Sequence, residues 1–222
     1  VNRPPLPLPE AAPLAVPEGF SAGLVTLGVT LPEGAEARIA DFLGRMLAMN
    51  EQMNLTAVVE PEAAWTRHAL DALSLVPLLD LRAGGHVLDL GSGGGVPGVI
   101  LAIARPDLRF TLVEATGKKA AWLEAVSAAL GLTNVTVRNE RAEKLVGIDA
   151  DVVTARAVAR LVELVPWAVP LVRPRGHLLL IKGERAEAEL DEAVHAMRKH
   201  RCVLLRTVPT ATGRVLVMRR TS

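Results

Sequence analysis

Val87-Leu88-Asp89-Leu90-Gly91-Ser92-Gly93-Gly94-Gly95-Val96-Pro97-Gly98 is the stretch from which the fold can be read. A short apolar run breaks into five glycines within eight residues, and Pro97 then opens a second apolar stretch reaching Arg105. Proline is favoured in the first turn of a helix. The segment therefore predicts a buried strand, a tight loop and a helix. Glycines in such a loop permit positive φ and let a ligand approach the backbone closely. The helix N-terminus adds oriented N–H groups. Gly93, Gly95 and Gly98 also satisfy G-x-G-x-x-G, a weak signal alone.

Downstream, short Val/Leu/Ile-rich runs alternate with helical patterns. Strands are expected at His86–Leu90, Phe110–Glu114, Val135–Arg138, Asp151–Thr154 and Leu178–Lys182. Helices are expected at Pro97–Arg105, Lys118–Leu130, Arg160–Val172 and Glu184–His200. This alternation means βαβ crossovers and a parallel sheet covered on both faces. Val203–Val208 and Val215–Arg219 are separated by too few residues for a crossover helix, so they should form an antiparallel edge hairpin. The expected fold is α/β, a Rossmann-like AdoMet-dependent methyltransferase fold. It has a seven-stranded, mostly parallel sheet with a C-terminal antiparallel hairpin, occupying residues 84–222. Upstream lies a helical extension over 21–83, with apolar stripes at Glu33–Met53 and from Pro61 to Leu75. Six prolines in the first 17 residues predict an extended or mobile arm over 1–20.

Composition excludes several classes. Half of the 222 residues are hydrophobic, which rules out a disordered chain. The longest apolar run, Val96–Ala104, is far too short to span a bilayer. With no charged-then-apolar leader and a single cysteine, Cys202, a cytoplasmic location is expected. The net charge of +1 averages −4 over residues 1–60 and +5 over 61–222. Local basic excess of that kind suits a phosphate backbone or a solvated surface.

The acids weigh on which cofactor the loop serves. Asp89, two residues before Gly91, would repel a dinucleotide's phosphates but tolerates the sulfonium and ammonium of S-adenosyl-L-methionine (AdoMet). Glu114 ends the second strand, where a carboxylate accepts hydrogen bonds from ribose hydroxyls of either cofactor. Glu143, after the third strand, is placed to border an adenine beside the small Ala142, or merely to cap the following turn. Together with the terminal hairpin these favour a methyltransferase over an NAD-type oxidoreductase.

Acceptor chemistry is narrowed by what is missing. Thr154-Ala155-Arg156-Ala157 replaces the Asn/Asp-Pro-Pro-aromatic motif of many amino-group methyltransferases. Cys202 lies in the hairpin, away from where a thiolate nucleophile would be needed. His195 and His200 are five apart and no Cys/His cluster has metal spacing, so no metal is expected. An acceptor that is already nucleophilic, such as guanine N7, fits, because it needs alignment rather than a general base. A small-molecule methyltransferase and a non-catalytic RNA-binding module remain as alternatives. Arg156 follows the fourth strand at the ligand-binding edge and suits orientation of either cofactor or base. Lys118 and Lys119 open a helix against its dipole, which favours a phosphate contact. Lys182 ends the fifth strand at the same edge. Arg67, His68 and Asp71 share one helical face, as an i,i+4 salt bridge or an RNA contact. Trp122 and Trp167 read as core, and Trp65 as either core or surface.

Asn54-Leu55-Thr56-Ala57 and Arg67-His68-Ala69-Leu70-Asp71 resemble the corresponding segments of the bacterial ribosomal RNA small-subunit methyltransferase G family. The loop from Leu88 to Gly98, Gly117-Lys118-Lys119, Arg141-Ala142-Glu143, Ala155-Arg156-Ala157 and Lys182-Gly183 continue the resemblance to the C-terminus. The resemblance implies methylation of a guanine N7 in 16S ribosomal RNA near the decoding region, with S-adenosyl-L-homocysteine as by-product. The substrate would be free RNA or a small-subunit precursor, and the enzyme a monomer. By the resemblance Gly91, Val96, the turn of Glu114, Ala115 and Thr116, Ala142, Glu143 and Arg156 would contact AdoMet, and the reading of the loop adds Asp89, Gly93 and Gly95. From the reading of the basic residues themselves, RNA would be held by Arg67, His68, Lys118, Lys119 and Lys182. The family usually has Ser after the helix Asp, where this chain has Ala72.

Overall fold

The computed structural model describes residues 6–222; Pro4 and Pro5 of the arm lie outside them. Helices α1 (Gly19–Leu27) and α2 (Ala35–Met53) precede α3 (Pro61–Ala64), a π-helical turn over Trp65–Leu70, and α4 (Asp71–Leu73). Strand β1 (His86–Leu90) leads to α5 (Gly98–Ala104), β2 (Arg109–Val113), α6 (Gly117–Ala129), β3 (Val135–Arg138) and β4 (Ala150–Arg156). Then follow α7 (Leu161–Ala168), β5 (Val172–Lys182), α8 (Ala186–Lys199), β6 (Cys202–Pro209) and β7 (Arg214–Arg220). The seven strands form one sheet in the order β3-β2-β1-β4-β5-β7-β6. All neighbours among β1–β5 pair in parallel, while β7 is antiparallel to both β5 and β6. The hairpin therefore folds back so that β7, not β6, sits against β5. Chain direction away from β1 diverges between β2 and β4, and the crevice beyond the carboxyl ends of such strands is where open α/β sheets bind ligands.

Two apolar layers sandwich the sheet. Phe42, Met46, Ile100, Trp122 and Leu123 cover one face from α2, α5 and α6. Leu161, Leu164, Val165 and Ala193 cover the other from α7 and α8. Every residue of α5 is buried, which is why its sequence lacks a polar face.

Three expectations are corrected. The described part of the proline-rich arm is extended but docked: Leu6, Leu8 and Leu14 pack on the core, and the Leu14 N–H donates to the Ala40 carbonyl at 3.0 Å. Gly44 makes this possible, since a Cβ there would collide with the Ala12 carbonyl. Helix α1 begins inside that arm and buries Phe20 against Trp65, with ring centroids 4.6 Å apart, so Trp65 is core. The expected helix over Arg160–Val172 ends at Ala168, and β5 starts at Val172 rather than Leu178. Its early residues are tied to β4 by Arg173, whose Nε lies 2.6 Å from an Asp151 carboxylate oxygen, across a register shift between Ala150 and Val152.

Candidate functional site

A cleft of about 570 Å³ opens at the carboxyl ends of β1, β2 and β4. Such a volume accommodates a cofactor-sized molecule. Its floor is the loop after β1, where Gly91, Gly93 and Gly95 have φ of 63°, 52° and 102°. Gly91, Gly93 and Val96 line the cleft. Gly95 does not: its added Cβ would lie 2.8 Å from Val99 and 3.1 Å from Phe42, so it permits packing under the loop instead.

Glu114 holds the site together. It follows β2, is 8% exposed, and lines the cleft. One carboxylate oxygen accepts from the Gly93 N–H at 2.9 Å and the other from the Thr116 N–H at 2.7 Å. Each oxygen keeps a lone pair for a ligand hydroxyl. Thr116 thus supports Glu114 and, unlike Ala115, does not itself line the cleft. Trp122 braces the loop from below, its indole N–H donating to the Gly94 carbonyl at 3.1 Å. On the far wall, Ala142 and the exposed Glu143 sit on a 3-10 turn and line the cleft.

Asp89 is corrected as a direct cofactor contact. It is fully buried beneath the loop, accepting from the Thr154 hydroxyl at 2.7 Å, and is not among the lining residues. Burial pushes its carboxyl up to about 6, against hydrogen bonding from Thr154 that pulls it down.

Arg156, ending β4, stands where the cleft meets a second cavity of about 350 Å³ and lines both. Its Nη1 lies 3.1 Å from Nδ1 of His68. Burial lowers the guanidinium's pKa, and the charge of Asp71 partly restores it. His68 is 4% exposed, with Nε2 at 2.8 Å from the Thr56 hydroxyl. Burial first, and then the Arg156 charge, hold its imidazole down at about 4. His68 lines the cleft, but both its ring nitrogens face protein partners and burial keeps the imidazole neutral, which sets it apart from the RNA-phosphate role expected for it. Arg67 is exposed, and no ion pair joins it to Asp71 among the described residues. The π turn explains this: widening at Trp65–Leu70 breaks the α-helical i,i+4 relation, and Asp71 turns inward to accept from the Thr212 hydroxyl.

Lys119 lines the cleft and Lys118 is exposed beside it. Lys182 is different. It is 8% exposed, with Nζ 2.8 Å from Glu189 and donating to the Ala159 carbonyl at 2.6 Å. It ties β5 to α8 and to the loop after β4 rather than presenting charge to RNA. Lys182→Ala is therefore expected to cost stability, roughly 2–3 kcal/mol, by stranding Glu189. Burial pushes the Glu189 pKa up, but hydrogen bonds from Lys182 and the Leu161 N–H outweigh it and hold the carboxyl below its usual value. That contribution is present above the unfolded carboxylate pKa and lost as pH falls through the folded one. Thermal denaturation at pH 7 and pH 4 should show the variant's deficit shrinking in acid.

Several lining residues escape sequence reasoning. Trp167 lines the cleft although its helical neighbours suggested core, and Met46 and Val158 join it. Leu55, Thr56 and Ala57 line it too, in a segment shaped by Asn50, whose side-chain oxygen accepts from the Leu55 and Thr56 N–H groups at 2.6 and 2.9 Å. Cys202 is buried in the hairpin and its thiol is pushed up to about 11. No group of three or more metal-binding side chains occurs among the described residues, and none of their helices is long and apolar enough to cross a membrane.

A carboxylate fixed by two amides with lone pairs to spare, above a glycine floor, fits the ribose of a nucleoside cofactor such as AdoMet. The fold is that of AdoMet-dependent methyltransferases. A SAM-dependent methyltransferase from Aquifex aeolicus superposes with a TM-score of 0.53 at 17% identity, over 67% of this chain and 88% of that one. Ribosomal protein L11 methylase from Lactobacillus delbrueckii subsp. bulgaricus gives 0.58 at 14% identity, over 70% and 79%. Among curated sequences, ribosomal RNA small subunit methyltransferase G of Sorangium cellulosum is 55% identical, over 99% of this chain and 94% of its own length. The protein of the same name in Clavibacter sepedonicus is 39% identical over 94% of both. The family profile described as rRNA small subunit methyltransferase G (GidB) matches residues 35–217, and the chain belongs to that family.

Proposed function

We propose that the protein transfers a methyl group from AdoMet to N7 of a guanine in 16S ribosomal RNA near the decoding region. One observation carries the acceptor assignment: His68, the imidazole that lines the cleft beside Arg156, has both ring nitrogens facing protein partners, and the lining carboxylate Glu114 is held by the Gly93 and Thr116 N–H groups. His68 is enclosed by Arg156 and Thr56, and Asp89 lies under the loop. An acceptor that must lose a proton before attack is poorly served by such a wall, whereas guanine N7 attacks as it stands. AdoMet, when bound, supplies a methyl group already activated on a sulfonium. Glu114 would hold its ribose, Gly91 and Gly93 would admit it close to the backbone, and Ala142 with Glu143 would border its adenine. Arg156 would orient the reactants for in-line displacement. Arg67 and Lys118, exposed outside the cleft, and Lys119 at its lining would meet RNA phosphates. The identity and coverage of the methyltransferase G relatives support the ribosomal substrate.

Unmodified small subunits and naked 16S RNA, incubated separately with methyl-labelled AdoMet, test this directly. The expected result is label at one guanosine, located by strand scission specific for 7-methylguanosine. Label on an exocyclic amine or a ribose, or none in RNA, would overturn the proposal.

A further inference from the structure

The segment Arg67-His68-Ala69-Leu70-Asp71 carries two buried polar residues, of which His68 lines the cleft and Asp71 does not. His68 is 4% exposed and Asp71 is 0% exposed, on a stretch whose first part is a π turn. Such turns recur at functional sites because they re-aim side chains. Here His68 faces Arg156, and Asp71 is buried nearby. Nδ1 of His68 lies 3.1 Å from the guanidinium, and the Asp71 carboxylate is an attractive charge for it, ahead of Asp89. Asp71 is held from the opposite side by the Thr212 hydroxyl in the β6–β7 turn.

The protonation pattern of His68 follows from its neighbours. A guanidinium gives hydrogen bonds and cannot accept them. Facing Arg156, Nδ1 can be an acceptor only. The Arg67 carbonyl, 3.1 Å from the same nitrogen, would suit the opposite tautomer, but a proton on Nδ1 would then oppose the guanidinium's own. The charge selects the lone pair. Nε2 must carry the proton and donate to the Thr56 hydroxyl oxygen, which also accepts from the Val58 N–H at 3.0 Å. With both acceptor positions of that oxygen filled, the Thr56 hydroxyl proton is left for the cleft that Thr56 lines.

We infer that His68, as the neutral Nε2–H tautomer, is a positioning residue that fixes the Arg156 guanidinium at the wall shared by the cofactor cleft and the second cavity. This rests on the reading of Arg156 as a residue of methyl transfer. Asn and Gln separate the two ring nitrogens: Asn places its oxygen near Nδ1, and Gln reaches toward Nε2. His68→Asn should keep kcat/KM for small-subunit RNA within about 3-fold. His68→Gln and His68→Ala should lose roughly 10–100-fold, the cost of a missing hydrogen bond to a charged group. Calorimetric AdoMet affinity should fall less than kcat/KM does in His68→Gln and His68→Ala. Combined with Arg156→Ala, His68→Ala should cause no further loss.

Nitrogen-15 NMR of the wild-type imidazoles gives a readout independent of activity. It should show His68 protonated at Nε2 only at neutral pH, with its titration moving upward in Arg156→Ala. A proton on Nδ1 in the wild type would overturn the inference, as would a retained rate in His68→Gln with a lost one in His68→Asn. Undiminished methyl transfer by Arg156→Ala would instead remove the reading of Arg156 on which the inference stands.

Discussion

Glu114→Ala is expected to weaken AdoMet binding by two to three orders of magnitude. The wild-type carboxylate takes one hydrogen bond from the Gly93 N–H and one from the Thr116 N–H. Hydrogen bonds to a charged acceptor are worth about 1.5–3 kcal/mol each, and removing the acceptor leaves both donors unpaired. The loss reaches the glycine floor as well, because Gly93 sits at φ 52° and this bond helps hold it there. Ribose contacts are lost in addition. Glu114→Gln should be milder, about 10-fold, since one oxygen still accepts while the amide's NH2 faces the other donor. Glu143→Ala, altering an exposed residue of a 3-10 turn, should cost less than 10-fold by the same reasoning about exposed contacts. Isothermal titration with AdoMet separates these cases. A Glu114→Ala affinity within about 3-fold of wild type would exclude the ribose assignment.

What the sequence made legible depended on whether the signal was local. The β1 strand, its loop and α5 are specified by consecutive residues, and both glycines at positive φ that line the cleft fall there. Glu114 was legible for the same reason, as the acid closing an apolar run. Side chains whose role depends on a distant partner were not. Lys182 looks like a free cation at a strand end, and only the folded chain brings Glu189 and the Ala159 carbonyl to it. Trp167 repeats with apolar helical neighbours, so its spacing reads as core, yet α7 ends at the cleft rim and leaves it half-buried there. The π turn has no periodic signature at all, so the separation of Arg67 from Asp71 could not be read from a spacing of four. The prolines read as an extended or mobile arm, and Gly44, far along the chain, decides that it lies on α2.

Gly98→Ala should destabilise the fold by about 3 kcal/mol and abolish high-affinity cofactor binding with it. Gly98 opens α5 directly over β1, and its φ is unexceptional, so the constraint is room rather than backbone freedom. An added Cβ would collide with the Leu112 side chain, and would lie 2.7 Å from the Asp89 carboxylate and 3.1 Å from its Cβ. Asp89 cannot yield, because Thr154 holds its other oxygen and the residue is fully enclosed. Helix α5, buried on every side, cannot shift outward without opening the core. Overpacking of this kind costs about 1–3 kcal/mol or more, and each kcal/mol lowers Tm by roughly 2–4 °C in a chain of this size. A pH dependence should accompany it. The Asp89 carboxyl, already raised from 3.8 to about 6 by burial, would rise again because the methyl crowds the oxygen beside the Gly98 N–H, one of the hydrogen bonds that hold it down. A folded-state pKa above the unfolded one means stability falls as pH rises between the two. The variant's deficit should therefore be smaller at pH 5 than at pH 8. Gly19→Ala, at the start of α1 with no neighbour within 4 Å of the added carbon, should leave Tm unchanged or slightly raised. Differential scanning calorimetry of the two variants at both pH values checks the argument, and an unchanged Tm in Gly98→Ala would show that the contact between α5 and β1 is not close-packed.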